Sequence, residues 1–294
     1  MLRGLQRMAQ GLTRLRWLQA LIAGQQPPPP DAVLPARIST GIEFRGVDFA
    51  YPGTDAPVLG GVNLLLPAGS TVAIVGENGA GKTSLITLLC RFYDTTVGAV
   101  LLDGVDIRRF PLTDWRSRIA TRFQDFARFE LQARHTVGVG DLPFVDDESR
   151  VLAGLERAHG ADLVARLGGL ETQLGKSYSD GRELSGGQWQ KLALGRAMMR
   201  EQPFLLILDE PTSALDAQAE HLLFERYAAN ARRVGLESGA ITVLVSHRFS
   251  AVRMADVILV VAEGRIAEAG DHNALMQLDG LYAELYSLQA AAYR

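Results

Sequence analysis

The chain has little of several features that would place it in a particular class of protein. Cys90 is the only cysteine among 294 residues, which excludes a disulfide framework and a cysteine-rich metal site and is typical of a reducing compartment. No run of about 18 apolar residues occurs, so the sequence predicts no membrane-spanning helix. The net charge is −3, so no basic field points to nucleic acid as a partner. The hydrophobic content of 47% is enough for the buried core of one large domain or two small ones.

Acidic residues are missing from the first part of the chain, since none precedes Asp31. The leucines of residues 1–24 fall on a helical period and the arginines supply charge, which predicts a basic amphipathic helix. Such a helix lies on an anionic membrane surface, docks on a partner, packs on its own domain or is a cleaved targeting peptide; the sequence leaves these open. Pro27 to Pro30 predict a stiff spacer of about 12 Å. We therefore expect an arm over residues 1–36 and a globular domain over 37–294.

Lysine is also rare, because only Lys82, Lys176 and Lys191 are lysines among 30 basic residues. Lys82 lies in residues 76–83, GENGAGKT, which fit the P-loop pattern G-x-x-x-x-G-K-[ST] at every fixed position. A sequence that nearly always uses arginine thus has lysine at the one place where a compact charge on a flexible stem is needed.

The surroundings of this loop also suit phosphate binding. Residues 71–75 are β-branched and apolar and predict a strand, and residues 84–91 have apolar side chains at helical spacing. A glycine loop between a strand and a helix directs backbone N–H groups at phosphate oxygens. We expect Lys82 to neutralise the β- and γ-phosphates and Thr83 to offer its hydroxyl to magnesium; the alternative is a glycine-rich turn without a ligand. The expected phosphate-binding residues are Gly76, Asn78, Gly79, Ala80, Gly81, Lys82, Thr83 and Ser84.

Further strands are predicted on both sides of the loop. Residues 42–49 alternate like a half-buried strand, and residues 58–66 predict a second strand, which suggests an antiparallel β-subdomain. Residues 98–103 and 119–123 predict two more. Tyr51, in the turn after the first strand, is either structural or an aromatic face for an adenine ring.

The middle of the chain loses the strand pattern from residue 125 to about 183, which predicts a helical insertion with helix at 147–167, interrupted at Gly160. A second glycine-rich helix N-terminus follows at residues 184–188, LSGGQ. Either it binds another phosphate, or Ser185 simply caps the helix.

Two continuous apolar runs, typical of strands buried on both faces, end in polar residues. Residues 204–208 are followed by Asp209 and Glu210, and residues 241–245 by Ser246 and His247. We expect Asp209 to hold magnesium through water and Glu210 to polarise the attacking water. His247 lies at the ligand-binding edge of such a sheet and is expected to sense the γ-phosphate.

In this order the motifs resemble the ATP-binding-cassette (ABC) family over about residues 37–294. The loop at 76–83 matches Walker A, residues 184–188 are the family signature without change, and Gln124 matches the Q-loop glutamine. The other matches are the adenine-stacking aromatic at Tyr51, Walker B at 204–209, the catalytic glutamate at Glu210, the D-loop at Ser213 to Asp216 and the switch histidine at His247.

The resemblance implies an α/β fold, namely a P-loop NTPase with a mostly parallel core sheet, an antiparallel β-subdomain and an inserted α-helical subdomain at about 125–188. ATP and Mg²⁺ are the implied cofactors. A head-to-tail homo- or heterodimer is implied, with ATP between one chain's Walker A and the other chain's signature. The implied catalytic residues are Glu210, His247 and Gln124; those at the metal are Thr83, Gln124 and Asp209; and the further nucleotide-binding residues are Tyr51, Ser185, Gly186, Gly187, Gln188 and Asp216.

Two stretches resemble the exporter branch of the family: residues 123–126 with 136–141, and residues 264–272 with 280–282. Residues 1–24 resemble the extension that follows the last membrane helix of an exporter, which implies a permease partner and a place at the cytoplasmic face of a membrane. Exporters often have an acidic coupling loop before the signature, whereas this chain has SYSDGR, so its contact with a membrane domain is in doubt.

Two other interpretations remain open at this stage. One is a soluble ABC ATPase acting on nucleic acid or ribosomes, although such proteins tend to have long coiled coils or tandem cassettes and the sequence shows neither. The other is a truncated transporter remnant, since the arm begins abruptly at Met1.

Overall fold

The structure is a computed structural model that describes residues 30–54, 56–210, 238–246 and 248–292. The chain there forms two β-sheets and a group of helices inserted between two strands of the second sheet.

The first sheet is antiparallel and has the strand order β2-β1-β4-β5. Its strands have alternating buried and exposed positions, as expected where one face packs on the core. The fourth strand, of two residues, was not predicted. The bounds are β1 Gly41–Phe49, β2 Leu59–Pro67, β4 Val97–Leu102 and β5 Val105–Asp106.

The second sheet has six strands in the order β10-β9-β3-β8-β7-β6. All neighbours are parallel except the hairpin of β9 and β10. Every residue of β7 and β8 is buried, which explains their continuous apolar sequence. The bounds are β3 Thr71–Val75, β6 Ile119–Arg122, β7 Leu205–Asp209, β8 Ile241–Val245, β9 Val257–Ala262 and β10 Arg265–Gly270.

The helices outside the insertion pack around these sheets. Trp115 in the second helix is fully buried and donates its indole N–H to the Leu89 carbonyl at the end of the first, 2.9 Å away. This bond satisfies one of the carbonyls that a helix C-terminus leaves without a partner. The bounds are α1 Lys82–Leu89, α2 Leu112–Ser117, α7 Phe249–Val252, α8 His272–Leu278 and α9 Leu281–Ala292.

The inserted helices have their own hydrophobic core. The predicted break at Gly160 is present, since one helix ends before it and the next begins after it. The last helix belongs to both units, because Leu192 packs in the insertion while Leu194 and Met198 pack on strands β6 and β7. The bounds are α3 Ala133–Gly138, α4 Glu148–Arg157, α5 Ala161–Leu167 and α6 Gly186–Ala197.

The first described residues already pack on the domain. The N–H groups of Asp31 and Ala32 donate to the Arg109 carbonyl at 3.0 and 3.1 Å, and the Asp31 carboxylate accepts from the Arg109 guanidinium. Ile38 is fully buried. The contacts therefore begin earlier than the expected start near Arg37, because this short segment finds partners beyond β5.

The mostly parallel six-stranded sheet, the antiparallel sheet and the helical insertion confirm the α/β fold class predicted from the sequence. The order of the strands in the second sheet decides which residues lie close together at the site. The carboxyl ends of β3, β8, β7 and β6 lie side by side, so the residues that follow them share one edge of the sheet.

Candidate functional site

The loop between β3 and α1 is shaped by glycines at positive φ. Gly76 has φ 145°, and a Cβ there would overlap the carbonyl oxygen of Val261 in β9. Gly81 has φ 109°, forms the N-cap of α1, and would place a Cβ 2.8 Å from Leu59 Cδ2. These two glycines are required both by backbone conformation and by close packing, so the loop can turn sharply into the helix.

Backbone hydrogen bonds that involve the β9–β10 turn and strand β2 hold the loop in place. The Gly264 N–H, in the β9–β10 turn, donates to the Ala80 carbonyl at 3.1 Å. The Gly60 N–H of β2 donates in turn to the Gly264 carbonyl at 3.0 Å. The loop is thus supported by both sheets.

A matched pair of alanine substitutions tests this packing. We expect Gly76→Ala to destabilise the protein by about 1–3 kcal/mol more than Gly79→Ala, because overpacking adds to the strain of positive φ. Gly79 also has positive φ, 81°, but a Cβ there meets nothing within 4 Å. Urea unfolding of the two variants measures the difference, and equal losses would show that Gly76 is not held against Val261.

Lys82 lies at the centre of the loop. Its side chain folds back, and Nζ donates to the carbonyls of Gly76 and Glu77 at 2.7 and 2.8 Å. Burial lowers the pKa of the ammonium, while the negative charges of Glu210 and Asp209 act in the opposite direction. The lysine, the loop and the two carboxylates therefore form one electrostatic unit at this edge of the sheet.

The carboxylate pair follows strand β7. Asp209 is 6% exposed, and its pKa is raised above the ordinary value by burial and by the charge of Glu210. The Gln124 N–H and the cations Arg122 and Lys82 oppose this shift. Gln124 follows β6 closely and thus reaches Asp209 through its backbone N–H.

Glu210 has an unusual backbone conformation. Its φ is 46°, in the left-handed region, which costs of the order of 1–3 kcal/mol for a residue with a side chain. Its N–H donates to the Val245 carbonyl of the neighbouring strand at 2.9 Å. Such a strained conformation persists where surrounding contacts hold it. The left-handed φ of Glu210 sets the direction in which its carboxylate leaves the sheet.

Arg122 is the residue of this site that sequence reasoning missed. It is 2% exposed, and its Nη1 donates to the carbonyls of Asp209 and Glu210 at 2.7 and 2.5 Å. The guanidinium also lies 5.3 Å from the centre of the Phe126 ring. The available signal was a basic residue inside the otherwise apolar strand of residues 119–123, where an unpaired charge would be costly.

Tyr51 lies beside the loop helix. Its hydroxyl is 3.0 Å from the Ser84 Oγ, and its ring meets the rings of Phe49 and Tyr93 edge-on, with centroids 4.8 and 5.2 Å away. The tyrosine is therefore part of an aromatic cluster next to the phosphate loop. Its stacking on adenine stays a prediction.

The outer face of the loop is open to solvent at Thr83 and Asn78. The predicted metal donors are oxygens, namely the hydroxyl of Thr83, the amide of Gln124 and the carboxylate of Asp209. Magnesium prefers such donors, usually with one or two carboxylates and several waters. Burial and, after it, the charge of Glu210 raise the pKa of Asp209, and a divalent cation at this carboxylate would act in the opposite direction. These residues fit Mg²⁺, although the described residues hold no cluster of three His, Cys, Asp or Glu for a metal.

The signature residues start α6. The Ser185 Oγ accepts from the Gln188 N–H at 3.3 Å, and the Gln188 side chain accepts from the Ser185 N–H at 2.8 Å, forming a reciprocal capping box. A Cβ on Gly186 or Gly187 would meet nothing within 4 Å, so this face is open. The capping alternative is therefore present in the single chain, and it leaves the phosphate-binding alternative untested.

Two predicted site residues, Asp216 and His247, lie outside the described residues. Of the others, the structure brings together the loop at 76–83, Asp209, Glu210 and Gln124. In the signature, Ser185 and Gln188 bond to each other within the first turn of α6.

Comparisons with known proteins agree with this geometry. A sequence model described as "ABC transporter" matches residues 59–213. The chain is 39% identical over 290 residues to the ATP-dependent lipid A-core flippase of Chromobacterium violaceum, covering 97% of this chain and 47% of the relative. It is 37% identical over 254 residues to the flippase of that name in Escherichia coli K12, covering 86% of this chain and 42% of the relative.

A solved structure is also similar. It is described as a bacterial Atm1-family ABC exporter with ATP bound, and it matches with a TM-score of 0.80 and 34% identity over 96% of this chain and 48% of that one. The chain spans about half the length of these relatives. In the part of the chain that the structure describes, no helix is long and apolar enough to cross a membrane. The chain belongs to the ABC transporter family and carries its ATPase domain.

Proposed function

We propose that this chain binds and hydrolyses ATP and thereby powers an exporter-type ABC transporter. The observation that carries the proposal is the electrostatic unit of Lys82, Asp209 and Glu210 at one sheet edge, directly beside a loop shaped for phosphate. The resemblance to ATP-dependent flippases and to an ABC exporter with ATP bound supports it.

The chain's own residues have separate tasks in this reaction. The backbone N–H groups of the loop and of the α1 N-terminus bind the phosphates, and Lys82 exchanges its carbonyl partners for phosphate oxygens. Thr83, Gln124 and Asp209 would hold Mg²⁺, which supplies charge neutralisation for the transferred phosphoryl group. Glu210 orients and polarises the attacking water and accepts its proton.

The basic experiment is a phosphate-release assay on the purified chain with ATP, with and without Mg²⁺. We expect turnover with Mg²⁺ and loss of turnover when EDTA removes the metal. A chain that releases no phosphate from ATP with Mg²⁺ would rule the proposal out.

A second copy or a related chain is the proposed partner, in a head-to-tail dimer. Each ATP would lie between residues 76–83 of one chain and residues 185–188 of the other. In the single chain the face of Gly186 and Gly187 is open, since a Cβ on either glycine would meet nothing within 4 Å, which suits a site completed by dimerisation. Asp216 and His247 belong to this proposal by family resemblance.

Two substitutions of Ser185 separate capping from contact with a partner's ATP. We expect Ser185→Ala to destabilise the chain by about 1 kcal/mol, because it removes the cap. Ser185→Asp can cap as well as serine, yet its charge would repel a γ-phosphate. The aspartate variant should therefore unfold like the wild type but fail to dimerise with ATP. Gel filtration with light scattering measures the dimer, and ATP-dependent dimerisation of Ser185→Asp at the wild-type level would contradict the proposed contact.

The second proposed partner is a permease, with this chain bound at the cytoplasmic face of the membrane. The relatives are about twice as long as this chain, and the matched exporter is named as a transporter. Co-purification of the chain with membranes that contain a candidate permease, but not with membranes lacking it, would support this assignment.

A further inference from the structure

Arg122, in strand β6, lies in the site but belongs to none of the family motifs named above. It follows Ile119, Ala120 and Thr121 on a strand that pairs in parallel with β7, with Arg122 opposite Leu208. Its backbone therefore runs beside the end of the Walker B strand, and its side chain extends past Leu208 to the next two residues.

A single nitrogen of this side chain contacts both carboxylate-bearing residues through their backbones. Arg122 Nη1 donates to the carbonyl of Asp209 at 2.7 Å and to that of Glu210 at 2.5 Å. The guanidinium is buried and carries a full charge, so both bonds are charge-assisted and stronger than neutral ones. These bonds fix two consecutive peptide groups, and with them the left-handed φ of Glu210.

We propose that Arg122 is a positioning residue for ATP hydrolysis, which holds the strained turn at Asp209 and Glu210 so that the Glu210 carboxylate points at the attacking water. This inference rests on the proposed ATPase activity. The same guanidinium lies against the Phe126 ring, two residues beyond Gln124. Arg122 thus joins the Walker B end to the segment that follows the Q-loop glutamine, so a shift of either one moves the other.

The first test replaces arginine by methionine, which keeps most of the apolar stem and removes every donor. Replacing a buried charge by an apolar residue of similar volume is often tolerated. We expect Arg122→Met to lower kcat at least about tenfold, equivalent to 1.4 kcal/mol of transition-state stabilisation, while the Kd for ATP changes less than about twofold. A kcat within twofold of the wild type overturns the proposal.

Rescue by Arg122→Lys is the next test, because an ammonium restores a charged donor but not the planar fork. We expect its kcat to lie between those of the methionine variant and the wild type. If the methionine variant does not fold, the lysine variant decides: a lower kcat with unchanged ATP affinity supports the role, and a wild-type kcat overturns it.

Arg91 offers a matched control. It is also buried, and its Nη1 also donates to two carbonyls, those of Ile107 and Phe110, both at 2.9 Å. Arg91→Met therefore removes a similar pair of bonds, whose acceptors lie outside Walker B. We expect Arg91→Met to lower the stability and to leave the kcat of the folded protein unchanged. If Arg122 had only a structural role, Arg122→Met would give the same result.

A double-mutant cycle with Glu210→Gln tests whether the arginine acts through Glu210. If it does, Arg122→Met should lower the residual turnover of Glu210→Gln by much less than tenfold, because residues that act as a unit are not additive. Additive losses contradict the inference. A wild-type chain without any ATPase activity would instead refute the proposed function, so the two failures are distinguishable.

Discussion

Glu210→Gln should lower ATP turnover at least about 100-fold, since general base catalysis contributes roughly 10²–10⁴ to such reactions. The amide has nearly the same shape as the carboxylate but cannot accept the proton of the attacking water. We expect the Kd for ATP to stay close to the wild-type value, because the phosphate loop and Lys82 are unchanged. With hydrolysis blocked and binding intact, the ATP-bound dimer should accumulate.

Steady-state phosphate release measures the loss of turnover, and gel filtration with ATP measures the trapped dimer. Glu263 is a matched control, because it is a second glutamate at left-handed φ, 48° against 46° for Glu210. Its side chain is exposed in the β9–β10 turn. Glu263→Gln should turn over ATP like the wild type, and a glutamine variant of Glu210 with wild-type turnover would remove Glu210 from the mechanism.

Lys82→Ala should weaken ATP binding at least about tenfold, since bonds to charged groups contribute about 1.5–3 kcal/mol each. Lys82 is 8% exposed, and its ammonium donates to two loop carbonyls at 2.7 and 2.8 Å. Lys82→Arg is expected to lose affinity too, because a planar fork does not fit a space built around a point charge. Titration with a fluorescent ATP analogue measures both Kd values.

Lys191 provides the control for this prediction. It lies on α6, 3.9 Å from Asp162, in the helical insertion. Lys191→Ala removes the same side chain from a helix surface, and we expect an unchanged Kd for nucleotide. If Lys82→Ala bound ATP as tightly as Lys191→Ala, the loop would not bind phosphate in the way described here.

Whether a feature of the site could be predicted depends on how far apart in the sequence the interacting residues lie. The loop at 76–83 is a local motif, so its residues, its flanking strand and its helix could all be predicted. The shared edge of Asp209, Glu210 and the loop could also be predicted, because parallel strands bring their carboxyl ends together whatever the details of packing. The strand pairings bear this out, with β8 between β3 and β7.

Side-chain partners across the fold could not be predicted in this way. Arg122 is separated by 87 positions in sequence from Asp209, and only the parallel pairing of β6 with β7 makes them neighbours. Tyr51 likewise meets Ser84 across 33 positions, and its aromatic neighbours depend on the first sheet. For Ser185 ordinary N-capping was among the alternatives, and the structure adds the reciprocal bond with Gln188 that makes it a capping box.

A structure of the Glu210→Gln variant with Mg²⁺ and ATP would show where the γ-phosphate lies. We expect Lys82 Nζ to leave the carbonyls of Gly76 and Glu77 and to contact the γ-phosphate, with the side chain at position 210 facing the same phosphate. A nucleotide bound elsewhere, or a γ-phosphate remote from both residues, would contradict this expectation.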